Sequence, residues 1–280
     1  MHARERLQEG KAFVYDVEVT GTDGFVQERW EGLRLQKVAD MAPRRAWVAG
    51  LLGPYIERRL RELIPGSAVS VAVTQGPGTK ITPSPLEGEG VGAGGASRRL
   101  DERVRTGRRV ASDWAIQQAL GAPLPVRRRP DGRPEVAGHQ EVEVSAAHAG
   151  ELTLAVAGPG PIACDLEPVV AKPASVWQDL LGPERFALAE IIAKEAGEDV
   201  DIAATRVWAA GECLKKAGAL DNAPLRFVAS LEDGWVPLSV RSLIVSTLVA
   251  PAHGVEGRLV LAVLTRNDDP SARMASDNGV

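Results

Sequence analysis

The sequence predicts an α+β fold, on three observations. Short stretches with strand character, apolar or alternating, recur at 13–19, 26–38, 68–73, 142–145 and 152–157. Helical stretches occupy 43–63, 98–120, 184–198 and 203–217. The last part of the chain then runs strand after strand, at 227–231, 235–240, 243–249 and 258–264, with turns between them. Strands and helices grouped in runs suit an α+β architecture.

Each element has a local reason. The segment 13–19 (FVYDVEV) alternates and reads as a strand. Thr22-Asp23-Gly24 supplies a turn, and 26–38 alternates again with Trp30, Leu33, Leu35 and Val38 as its apolar members. The pair predicts a β-hairpin, which is marginal alone and must pack on something. An amphipathic helical stretch follows at 43–63, with an interruption expected at Gly53-Pro54. Residues 76–97 are rich in Gly and Pro without a period, so a mobile loop is expected there. The helix 98–120 turns Leu100, Val104, Ala111, Trp114, Ala115 and Ala119 toward a core. Residues 124–133 form a turn-rich basic segment, and the strands 142–145 and 152–157 flank a loop that carries His148. From Asn267 onward the chain is polar and expected to fray. The expected organisation is a hairpin and linker over 1–42, one main domain over 43–267 and a flexible tail over 268–280.

The 280 residues suffice for one large domain or two small ones. A hydrophobic content of 44% and a charged content of 25% suit a soluble globular chain. No apolar run reaches the roughly 18 residues of a membrane span. Residues 1–12 are polar and charged and offer no secretory signal. Two cysteines, Cys164 and Cys213, make no disulfide framework, and a cytoplasmic location is expected. The net charge of −4 argues against nucleic acid as the main partner.

The chemistry concentrates in two short segments. Cys164-Asp165-Leu166-Glu167 follows the apolar run 152–157 and reads as strand. Residues two apart on a strand share a face, so Asp165 and Glu167 point the same way. Trp208, Glu212 and Lys216 fall at i, i+4 and i+8 of a helix and form one stripe. Two strand carboxylates facing a helix that bears a third carboxylate and a lysine make an oxygen-ligand site for a hard cation, with an anchor for phosphate beside it. Mg²⁺ favours such a set, one or two carboxylates completed by substrate phosphates. His148 can donate a ring N–H to phosphate, and Lys216 can place a compact charge on another phosphate oxygen. Arg108, Arg109, Arg127, Arg128, Arg129 and Arg133 offer further cations. Glu212 can hold the cation or act as base toward an incoming hydroxyl. Each piece alone is also what a solvated face or a packed core would show; the order and spacing of all of them together are more specific.

The series Gly132-Arg133-Pro134, then His148, then Ala163-Cys164-Asp165-Leu166-Glu167, then Trp208-x-x-Gly211-Glu212-x-x-x-Lys216 resembles the surfactin-type 4'-phosphopantetheinyl transferases. That family carries a Gly-Lys-Pro-like segment, a Ser-His pair, Gly-Ile-Asp-x-Glu and Trp-x-x-Lys-Glu-x-x-x-Lys in the same order. The resemblance covers about 98–265. It implies two similar α/β halves related by a pseudo-twofold axis, with the active site between them. It implies Mg²⁺ ligands at Asp165, Glu167 and Glu212, coenzyme A phosphate contacts at His148 and Lys216, and a contact near the adenine end at Arg133-Pro134. Arg108 corresponds to a helix arginine near the 3'-phosphate. The implied reaction moves phosphopantetheine from coenzyme A to a serine of an acyl carrier protein. Catalysis would rest on Glu212, Lys216 and His148.

Three positions depart from the family pattern. Gly211 stands where a lysine is usual, Ala147 where a serine is usual, and Ala163 where a glycine is usual. A non-catalytic docking or structural module of a synthase, binding coenzyme A without turnover, is the alternative they leave open. The N-terminal segment Tyr15-Asp16-Val17 to Trp30-Glu31-Gly32-Leu33-Arg34-Leu35 is similar to the last strands of a polyketide synthase dehydratase, a hot-dog fold. Such a hairpin ahead of a transferase resembles the C-terminal end of enediyne-type iterative polyketide synthases, which implies a piece of a megasynthase.

Overall fold

A computed structural model describes residues 2–9, 12–20, 25–36, 46–76, 93–219 and 224–267. The chain divides into two compact units, Met1–Arg44 and Arg45–Val280.

The first unit is an antiparallel sheet of β1 (His2–Glu9), β2 (Ala12–Thr20) and β3 (Val26–Gln36), in that spatial order. The expected hairpin is β2 with β3; the turn at 22–24 lies outside the described residues. β1 is an addition to it, formed by residues whose polar character masked a strand. Tyr15 pairs with Leu33 and Val17 with Trp30, so Asp16 faces two residues of β3 and makes a bulge. Gly32, at φ 67°, takes the left-handed conformation the bulge needs, and its N–H donates to Asp16 Oδ1 at 2.9 Å.

The second unit begins with α1 (Ala49–Leu63) and β4 (Ser70–Gln75). The expected break at Gly53-Pro54 does not occur. Pro54 lies on the exposed face near the helix start, where the carbonyl it leaves free can be hydrated. Gly53 is needed for a close approach: a Cβ there would stand 3.0 Å from both the Val71 oxygen and the Val73 nitrogen of β4. The helix also starts later than expected, because Trp47 instead bridges to Ala252. Next come α2 (Ala93–Leu120), β5 (Val126–Arg128), β6 (Pro134–Val136), β7 (Glu143–Ala149) and β8 (Leu152–Gly158). Residues 77–92 of the expected mobile loop lie outside the described residues, while 93–97 form the start of α2. Then follow β9 (Ala163–Pro168), α3 (Ala174–Leu181), α4 (Pro183–Ala196), α5 (Val200–Lys216), β10 (Arg226–Phe227), β11 (Trp235–Val240), β12 (Leu243–Pro251) and β13 (Arg258–Arg266).

These strands form a three-stranded sheet, β4-β8-β7, a five-stranded antiparallel sheet, β10-β11-β12-β13-β9, and the small ribbon β5-β6. The fold is mixed α+β. One core buries Ala147, Leu154 and Val156 of the smaller sheet with Leu166, Leu248 and Leu261 of the larger, and α1 adds Leu52, Ile56 and Leu60. α2 covers the opposite face of the smaller sheet through Ala115, Ile116 and Ala119. α3, α4 and α5 cover the opposite face of the larger one.

Arg206 pins α5 in place. It is 1% exposed, and its Nε and Nη2 donate to both oxygens of Glu198 at 2.8 and 2.9 Å. Nη1 donates to the Thr247 carbonyl and hydroxyl oxygens, and Nη2 also to the Gly234 carbonyl. The guanidinium thereby joins α5, the turn before it, β12 and the start of β11. Removing one partner of such a buried pair leaves an uncompensated charge. Arg206→Ala is expected to lose about 3–5 kcal/mol of stability, read from urea denaturation with Glu198→Gln as a second probe of the same pair.

Candidate functional site

The alternation of β9 builds the site. Cys164 and Leu166 enter the core between the sheets, and Ala163 packs against the helices on the other side. Asp165 and Glu167 therefore face α5, as the two-residue period predicts. Across from them the stripe Trp208, Glu212 and Lys216 lies on α5. Trp208 Nε1 donates to Glu167 Oε1 at 3.2 Å. Lys216 Nζ donates to Asp165 Oδ1 at 2.7 Å and to the Cys164 carbonyl at 2.9 Å. Glu212 is half-buried beside them, with Lys215 Nζ at 3.7 Å.

The electrostatics are those of crowded carboxylates. Asp165, 5% exposed, is raised above the usual carboxylate range by burial, against the pull of Lys216. Burial and then the Asp165 charge raise Glu167. Glu212 pushes both the same way. Burial works against the Lys216 ammonium, yet its neighbours, Asp165 among them, hold its pKa above the ordinary lysine value. The buried Cys164 thiol is pushed up to about 12, so it stays neutral at pH 7 and adds no charge.

Among the described residues no three of His, Cys, Asp and Glu already stand as a metal cage. The donor set nonetheless suits a hard cation, because Asp165 Oδ2 is buried with no hydrogen-bond partner among the described residues. A second positive charge there would satisfy that oxygen and relieve the crowding of the carboxyls.

A cleft of about 430 Å³ opens beside this cluster, lined by Arg129, Arg133, Pro134, Val144, Ala146 and Lys216 among others. It brings the Arg133-Pro134 segment to the C-terminal end of α5, where Gly218, at φ 69°, lies against the Arg133 guanidinium. Arg133 is paired with Asp131, at 3.1 Å.

His148 stands inside β7, paired with Thr153 of β8, rather than in a loop. The turn comes two residues later, at Gly150 with φ 56°. Both ring nitrogens are engaged: Nε2 with Ser112 Oγ and Nδ1 with Thr153 Oγ1, each at 2.8 Å. Burial, and then the charges of Arg108, Lys216 and Arg128, lower its pKa to about 4. Arg108 is exposed on α2, one turn before Ser112. Arg128 is tied to Asp113 of α2 at 2.5 Å.

The departures from the family pattern also have structural places. Ala147 faces the core between the sheets, away from the His148 side of β7, and Ala163 is fully buried. The missing side chain of Gly211 leaves room for Arg185 of α4, whose Nη1 lies 3.0 Å from where a Cβ would stand. No family profile and no curated protein matches this chain. Sequence reasoning missed Ser112 of α2 and Thr153 of β8, which meet at His148, and Arg185 of α4, which lies against Gly211. It also missed Arg206, whose signal was a lone charge in the apolar run of α5.

The depressed His148 pKa gives a pH signature. The unfolded chain takes up a proton near pH 6.5, whereas the folded His148 resists it until about pH 4. Stability contributed by the neutral ring is present above pH 6.5 and lost as pH falls toward 4. After a discount for the exposed part of the ring, the loss from pH 7 to pH 4.5 is expected to be about 1–2 kcal/mol smaller in His148→Gln, read from urea denaturation at each pH.

Proposed function

We propose that this chain is a Mg²⁺-dependent 4'-phosphopantetheinyl transferase, moving phosphopantetheine from coenzyme A to a serine of an acyl carrier protein. The observation that carries this is the meeting of Asp165, Glu167, Glu212 and Lys216, with one Asp165 oxygen left unpartnered. The layered arrangement of two sheets, each covered by helices on its outer face, is compatible with the two similar halves of that family.

Asp165, Glu167 and Glu212 would hold Mg²⁺, which when bound neutralises phosphate charge and orients the leaving group. The chain's own groups do the rest. Lys216, which donates to Asp165 Oδ1 and leaves Oδ2 to the cation, would place its ammonium against a phosphate oxygen. The cleft at Arg133-Pro134 takes the adenine end, and Arg108 meets a phosphate near His148. Glu212 would also receive the proton of the carrier serine as its oxygen attacks phosphorus. Adenosine 3',5'-bisphosphate leaves. Arg185 supplies a cation beside Gly211, where the family has its lysine. We read the first unit as the end of a hot-dog dehydratase within a cytoplasmic polyketide megasynthase, a reading supported by the pairing of β2 with β3.

Asp165→Ala and Glu212→Ala are each expected to slow transfer roughly 100-fold or more, on the several kcal/mol a metal supplies to charge stabilisation. Lys216→Ala should raise the KM for coenzyme A about tenfold through a lost charge-assisted contact. Transfer of a fluorescent phosphopantetheine arm to a carrier protein reads both. Unchanged rates in the carboxylate variants, with the circular dichroism of the parent chain, would remove the assignment.

A further inference from the structure

We infer that Ser112 is the hydroxyl this site presents to a phosphate group of coenzyme A, with His148 and Thr153 behind it as positioning residues. This rests on the transferase proposal and changes the part His148 plays in it.

Counting donors leads there. Thr153 is 2% exposed, and His148 Nδ1 is the hydrogen-bond partner of its hydroxyl among the described residues. If the ring donated from Nδ1, the Thr153 proton would be buried with no acceptor, at a cost of about 1–3 kcal/mol. The Thr153 hydroxyl therefore donates to Nδ1, and the neutral ring carries its proton on Nε2. That N–H donates to Ser112 Oγ, 2.8 Å away. The proton left over in this chain of three groups is the Ser112 hydroxyl proton. His148 has no N–H left to offer a phosphate; Ser112 has one.

The surroundings suit an anion at that proton. Ser112 lies on α2, 9% exposed, one helical turn after Arg108. Arg108, Lys216 and Arg128 all bring positive charge to His148. A phosphate oxygen arriving beside Arg108 meets the Ser112 hydroxyl already aimed by the ring that donates to its oxygen. A hydroxyl polarised from behind in this way is a stronger donor. Ala147 has no hydroxyl and faces the core between the sheets, so α2 rather than β7 provides this contact.

Two measurements test the assignment. Titration calorimetry with coenzyme A and Mg²⁺ is expected to show roughly tenfold weaker binding in Ser112→Ala and a change of less than about threefold in Ser112→Thr, which keeps the hydroxyl. With 3'-dephospho-coenzyme A, loss of the difference between parent and Ser112→Ala assigns the contact to the 3'-phosphate; persistence assigns it to the pyrophosphate. A ¹⁵N spectrum of the imidazole is expected to show the proton on Nε2 of His148 at pH 7. Parent-like affinity in Ser112→Ala, or a proton on Nδ1, would overturn the role of Ser112 while leaving the transferase proposal standing. Absence of coenzyme A binding by the parent chain would remove both.

Discussion

The two-residue period of β9 is the constraint on which the site depends. One short strand serves two cores, so burying Cys164 and Leu166 between the sheets obliges Asp165 and Glu167 to face α5. Burying a carboxyl as deeply as Asp165 is unfavourable unless charge or hydrogen bonds compensate. Lys216 supplies half of that compensation, at one oxygen. The other oxygen has none among the described residues. The strand thus holds a carboxyl with one oxygen paired to Lys216 and the other without a partner among the described residues, and the proposal of a cation rests on this imbalance.

Position and charge on α5 follow from the same economy of placement. Its stripe must carry Trp208, Glu212 and Lys216 toward β9 while the remaining faces bury against sheet and helices. Arg206 and Glu198 fix the helix from the far side by filling the hydrogen-bonding capacity of a buried guanidinium. Gly211 lets α4 bring Arg185 close to the helix axis. A helix interior glycine is unfavourable by about 1 kcal/mol relative to alanine, which the close packing of the two helices must offset. The positive charges around His148 come from α2, β5 and α5, so that side of the site is assembled from segments far apart in the chain.

What could be read in the sequence was what depends on local periodicity. The alternation of 163–168 and the four-residue spacing of 208, 212 and 216 placed four of the candidate site residues on their correct faces. The terminal run of strands was visible for the same reason. Local readings failed where long-range packing decided, and Trp114, expected toward the core, is 48% exposed on α2. β1 lacks a dense apolar face, and its strand character comes from pairing with β2. Pro54 suggested a break that the exposed helix start tolerates. The Ala-Ala-His-Ala stretch gave no alternation, so His148 was read into a turn that begins only at Gly150. Ser112, Thr153 and Arg185 were invisible because nothing local marks a hydroxyl or guanidinium that acts across elements.

The most direct measurement is the intact mass of an apo acyl carrier protein after incubation with this chain, coenzyme A and Mg²⁺, beside an EDTA control. A gain of one phosphopantetheine, absent with EDTA, is the result predicted from the open oxygen of Asp165 and the cations around it. No gain with any of several carrier proteins, or a gain that EDTA leaves untouched, would contradict the account.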